Sequence, residues 1–95
     1  MKHAYLIITH NEPKLLKLLV SCLDDIRNDI YVHIDKKAVF DGNILTTEKS
    51  DLHILPERTD ARWGDYSLVN VELNLFQAAY HRGPYAYYHL ISGVD

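Results

Sequence analysis

An α/β layered fold, with a mainly parallel sheet of about four strands and helices packed on it, is what the 95 residues predict. Three observations carry this. Strand-type apolar runs alternate with helical periods in the order β-α-β-β-α-β. The second helical period is closed by Gly83-Pro84, a strong stop signal. Three of the apolar runs release polar groups at their C-terminal ends: Ile8 into Thr9-His10-Asn11-Glu12, Ile30–Ile34 into Asp35, and Tyr85–Ile91 into Ser92-Gly93-Val94-Asp95. In an open α/β sheet that edge forms the ligand crevice, so the three runs suggest half of a nucleotide site.

Taken in order, His3–Ile8 is the first strand. From Pro13 to about Arg27, Leu15, Leu16, Leu18, Leu19, Val20, Cys22, Leu23 and Ile26 follow a helical period. Asn11 suits the N-cap, Pro13 the first turn and Arg27 the negative end of the dipole. Asp24-Asp25 then reads as a solvated pair on this helix, and Cys22 as a small buried hydrophobe. The second strand, Ile30–Asp35, alternates Tyr31, His33 and Asp35 on one face with Ile30, Val32 and Ile34 on the other. Lys36–Ser50 holds Asp41-Gly42-Asn43 and no long apolar period, so it reads as loop with one helical turn. Leu52–Leu55, closed by Pro56, is a third short strand, and Glu57–Gly64 a polar connection. The second helix runs from Asp65 or Ser67 to Arg82 on Leu68, Val69, Val71, Leu73, Leu75, Phe76, Ala79 and Tyr80. The fourth strand is Tyr85–Ile91.

Composition bounds the function. Hydrophobic content of 47% and charge of 24% describe one small globular domain. The net charge of −3, with Lys and Arg scattered, offers nucleic acid no basic stripe. No apolar run approaches the ~20 residues of a membrane span, and the first strand begins too soon after Met1 for a signal peptide. The single cysteine excludes an internal disulfide and fits a reducing compartment. Asp95 falls where a crevice loop would begin, which is the expectation for a chain truncated at its C-terminus.

Several residues are candidates for chemistry. The turn Thr9–Pro13 opens a helix and so offers backbone N–H groups to a phosphate or base, or is a plain capping turn; it lacks the glycines of a dinucleotide fold. Asp35 suits a ribose hydroxyl or base N–H, whereas His33 reads as a hydrogen-bonded structural residue. Six histidines, at 3, 10, 33, 53, 81 and 89, show no zinc spacing, and no D-x-D occurs, so no metal site is expected. No G-x-S-x-G elbow is present. Trp63-Gly64 reads equally as a stacking wall or a loop anchor, and Tyr85, Tyr87 and Tyr88 as strand packing.

Ala4-Tyr5-Leu6-Ile7-Ile8-Thr9-His10, Val32-His33-Ile34-Asp35-Lys36-Lys37, Trp63-Gly64-Asp65-Tyr66-Ser67-Leu68-Val69 and Tyr88-His89-Leu90-Ile91-Ser92-Gly93-Val94-Asp95 together resemble the core-2/I-branching glycosyltransferase family. That family (glycosyltransferase family 14) contains β-1,6-N-acetylglucosaminyltransferases and peptide O-xylosyltransferases. The resemblance covers nearly the whole chain. It implies a GT-A, Rossmann-like fold, a UDP-sugar donor, inversion at the anomeric carbon and no metal, in keeping with the missing D-x-D. By position it implies that Ile8, Thr9 and His10 contact the uracil and Asp35 holds the uridine. Asp60 and Trp63 would border the nucleotide, and Ser92, Gly93 and Asp95 would approach the donor sugar. At Asp60 some members carry an aromatic residue that packs on the nucleotide.

On this reading residues 1–95 are the nucleotide-sugar-binding part of a longer enzyme. Its general base, diphosphate-neutralising basic residues and acceptor site (for a glycan or other hydroxyl acceptor) lie beyond Asp95, and the 95 residues alone are expected to be inactive. A bacterial cytoplasmic enzyme is expected, with a Golgi membrane location only if an upstream anchor is missing. The alternative is a non-catalytic α/β interaction or nucleotide-binding module. Under either reading exposed apolar surface would favour self-association.

Overall fold

A computed structural model describes residues 2–61 and 66–94. Its elements are β1 (His3–Thr9), α1 (Pro13–Leu23), β2 (Asn28–Ile34), β3 (Leu52–Ile54), α2 (Tyr66–Arg82) and β4 (Tyr87–Val94), with one 3₁₀ turn at Gly42–Ile44. The four strands form one sheet in the order β3-β2-β1-β4. Every pairing is parallel. The α/β fold expected from the alternation of strands and helices is thus present, with a wholly parallel sheet.

The period-2 pattern of the strands explains the layers. Ile7 of β1 and Ile30, Val32 and Ile34 of β2 face α1 and pack on Leu16 and Val20. Ala4, Leu6 and Ile8 of β1 and Tyr31 of β2 face the opposite way, onto Val71, Leu75 and Ala79 of α2. A parallel strand between two helices is buried on both faces, which is why β1 and β2 read as near-continuous apolar runs. At the β4 edge, His3 lies opposite Tyr87 and Tyr5 opposite His89. Their rings stack at centroid separations of 5.0 and 4.6 Å, and His3 Nδ1 meets His89 Nε2 at 2.8 Å.

Several local expectations are corrected. Helix α1 ends at Leu23 rather than near Arg27, and Asp24 is extended with ψ 103°. Its carboxylate accepts the backbone N–H groups of Glu48, Lys49 and Ser50 at 2.7, 2.9 and 2.8 Å. Asp25 holds the Arg27 guanidinium, so the acidic pair anchors two loops and is not a helical surface. That contact pulls the Asp25 carboxyl down to about 2. The capping position of α1 is taken by Glu12 in the left-handed region, φ 55°, not by Asn11, and no side chain caps the helix. Cys22 is exposed rather than buried, because Leu16 and Val20 define the inward stripe. β4 begins at Tyr87, two residues later than expected, and continues to Val94. Ser92-Gly93 therefore lies within the strand and not in a loop beyond it.

The loop after β2 has its helical turn at Gly42, and this position demands glycine. A Cβ there would stand 2.7 Å from Ile54 Cγ1 and 2.8 Å from Ile54 Cγ2. Asp41 closes the turn by accepting the Asn43 N–H at 2.9 Å.

Candidate functional site

The chain leaves β1 for β2 and β3 on one side, then returns to place β4 on the other side of β1. The C-terminal ends of β1 and β4 therefore flank the point where strand order reverses, the usual ligand crevice of such sheets. Thr9 pairs with Val94 across this point, whereas Ile7 pairs with Ile91. β4 thus fits one extra residue between Ile91 and Val94, a bulge at the Ser92-Gly93 segment. Bulges of this kind re-aim the chain next to binding sites.

Asp35, directly after β2, is a buried and densely hydrogen-bonded polar group at this edge. It is 2% exposed. Its N–H donates to the Thr9 carbonyl at 2.8 Å, which joins two of the candidate residues directly. Its Oδ1 accepts the Lys37 N–H at 2.8 Å and lies 3.3 Å from the Lys37 ammonium, while Oδ2 accepts the Ala61 N–H at 2.8 Å. Burial alone would push this carboxyl upward, but the three donors outweigh it and hold the group below the usual carboxylate range. Asp35 is therefore an ionised, buried acceptor at neutral pH.

The segment 58–61 is laid along the end of β2 by hydrogen bonds that the sequence did not advertise. Arg58 donates to the carbonyls of Ile34, Asp35 and Ala38, the two shortest contacts being 2.7 and 2.8 Å. The Thr59 carbonyl accepts the Lys36 N–H at 3.2 Å. The Thr59 N–H donates to His33 Nε2 at 3.0 Å, so the proton of the neutral ring sits on Nδ1, which finds no partner. Burial pushes the His33 imidazole below its ordinary value. His33 is thus a neutral, structural ring holding the 58–61 segment. Asp60 pairs with the Lys37 ammonium and so stands beside Asp35.

Of the sequence candidates, Thr9, Asp35 and Asp60 come together on this edge. Thr9 is buried, with its Oγ1 3.2 Å from the Asn11 carbonyl. Ile8 faces the α2 layer, and His10 is exposed at the start of the turn. Ser92 is exposed on β4, and Gly93 lies in the same strand. Trp63 and Asp95 lie outside the described residues. Lys37, Arg58 and the Ala61 N–H are the members the sequence reading missed. Lys37 was visible as part of Asp35-Lys36-Lys37, but main-chain donors such as Ala61 leave no signature in residue type.

Among the described residues no three His, Cys, Asp or Glu side chains gather into a group able to hold a metal ion. No helix among them is long and apolar enough to cross a membrane. No protein-family model and no curated protein matches the chain.

Proposed function

We propose that the chain is the nucleotide-sugar-binding part of an inverting, metal-independent glycosyltransferase that uses a UDP-GlcNAc or UDP-xylose type donor and a glycan or other hydroxyl acceptor. The observation that carries this reading is Asp35: a buried carboxylate kept ionised by fixed donors, bonded through its backbone to Thr9, at the sheet edge where ligands bind. Three of the four segments that resemble the core-2/I-branching family lie along β1, β2 and β4, the strands that lead to this edge. The chemistry that remains is a carboxylate to deprotonate the attacking hydroxyl and positive charge for the departing diphosphate. On this reading both come from outside the 95 residues, and so does the acceptor site. The chain alone binds the nucleotide weakly and has no turnover. A cytoplasmic, bacterial setting belongs to the same proposal.

Titration of the chain with uridine, UDP and UDP-GlcNAc, followed by amide chemical shifts, tests it. Shifts at Thr9, His10 and Asp35 that Asp35→Asn abolishes support the reading, and no response at millimolar ligand sinks it. Sugar transfer by the purified chain would overturn the assignment of base and phosphate clamp to other residues.

One observation favours the alternative of an interaction module. The outer face of α2 presents Leu73, Phe76 and Tyr80 between Asn70, Asn74 and Gln77 along a shallow apolar groove. Sedimentation at increasing concentration decides: a monomer that binds uridine excludes it, and a dimer lost in Leu73→Lys that ignores uridine favours it.

A further inference from the structure

We propose that Lys37 is the specificity-determining residue at the Asp35 carboxylate: its ammonium occupies the place on the carboxylate that a nucleoside's N–H or O–H donor takes, and binding displaces it. The inference rests on the nucleotide-binding reading above.

The three donors on Asp35 are not equivalent. The N–H groups of Lys37 and Ala61 are main-chain groups at 2.8 Å, fixed by the path of the chain. The Lys37 ammonium stands further away, at 3.3 Å, beyond the ~2.7–2.9 Å of a good charge-assisted bond. It sits on a side chain 49% exposed, whereas the carboxylate is buried. It also has a second home, because it donates to Asp60 and reaches the Ala61 carbonyl at 3.3 Å. Stepping off Asp35 therefore leaves the ammonium paired, and it opens one acceptor position on Oδ1. A ligand fills that position only by bringing a donor of its own. A uracil N3–H or a ribose hydroxyl does so, and a ligand edge that only accepts does not. The lysine thus sets which ligand edge the buried carboxylate admits, at the cost of a weaker grip on every ligand.

Uridine, which is neutral, isolates this effect from phosphate electrostatics. The full chain and its Lys37→Met and Lys37→Gln variants are titrated with uridine by NMR. The variants are expected to bind several-fold more tightly, and in the unaltered chain uridine is expected to shift the Lys37 Cε and Nζ signals as the ammonium leaves Asp35. The second readout needs no substitution, so a variant that fails to fold does not decide the matter. Binding by the unaltered chain with no Lys37 signal change, or variants that bind equally or less tightly, overturns the role of Lys37 alone. If neither the chain nor its variants respond to uridine, the nucleotide reading falls and this one with it.

Discussion

The Tyr85 hydroxyl donates to the Asp29 carboxylate at 2.7 Å, across 56 residues of sequence. Because that proton is committed, the Tyr31 hydroxyl, 2.7 Å from Tyr85 Oη, must be the donor of its own bond. A relay Tyr31→Tyr85→Asp29 therefore closes the sheet at the edge opposite the candidate site, with Lys2 on the other carboxylate oxygen at 3.0 Å. Tyr85→Phe strands Tyr31 and takes one bond from a buried carboxylate. The expected loss is about 1–3 kcal/mol in urea unfolding, the range for leaving buried polar groups unpaired.

Acid should destabilise the protein in two windows. Burial holds the His33 and His53 imidazoles below their ordinary value, so each takes up protons more readily unfolded than folded. Such groups contribute stability above the unfolded value of about 6.5, and that stability is lost as pH falls below it. At Asp29 and Asp35 burial is outweighed by hydrogen bonds, so both carboxyls also lie low. Their contribution is present above about pH 4 and disappears as pH falls further. Denaturation midpoints between pH 8 and pH 3 should show both declines. His33→Gln should lessen the first decline, leaving the share of His53, and leave the second unchanged; a first slope unaltered by that substitution would remove His33 as a source of it.

Gly42→Ala should cost about 1–3 kcal/mol, the typical range for overpacking. The new methyl would press on the branched Ile54 side chain of β3. Ile54→Ala, destabilising by itself, should be partly compensating in the double variant. Strict additivity of the two losses in a double-mutant cycle would refute the contact.

Asp24→Ala removes the acceptor of three consecutive N–H groups. Hydrogen exchange at Glu48, Lys49 and Ser50 should accelerate, while protection in β1 stays unchanged. Equal acceleration throughout would mean that Asp24 supports the whole fold.

Most of the fold was legible because its signals are local. The apolar runs His3–Ile8 and Ile30–Ile34 read as strands and Gly83-Pro84 as the end of α2, whereas burial of the strands on both faces comes from the two helical layers. Boundaries failed where a distant segment decided them. Asp24 leaves α1 because the amides at 48–50 compete for its carboxylate, and no neighbour of Asp24 in sequence announces them. The site was half legible for the same reason. Asp35 and Thr9 stood out as polar groups released by strands, but Lys37, Arg58 and Ala61 acquire their roles only when the 58–61 segment docks on β2.

Period and turn chemistry act over a few residues, and they suffice to specify an α/β protein with polar groups at the strand ends. That the sheet is wholly parallel, that Asp35 is buried yet ionised and that a lysine two residues away sits on it emerge from the folded packing. Those facts depend on hydrogen bonds between residues more than twenty positions apart, such as Ala61 to Asp35. Such bonds are set by the packing of the layers and not by residue type.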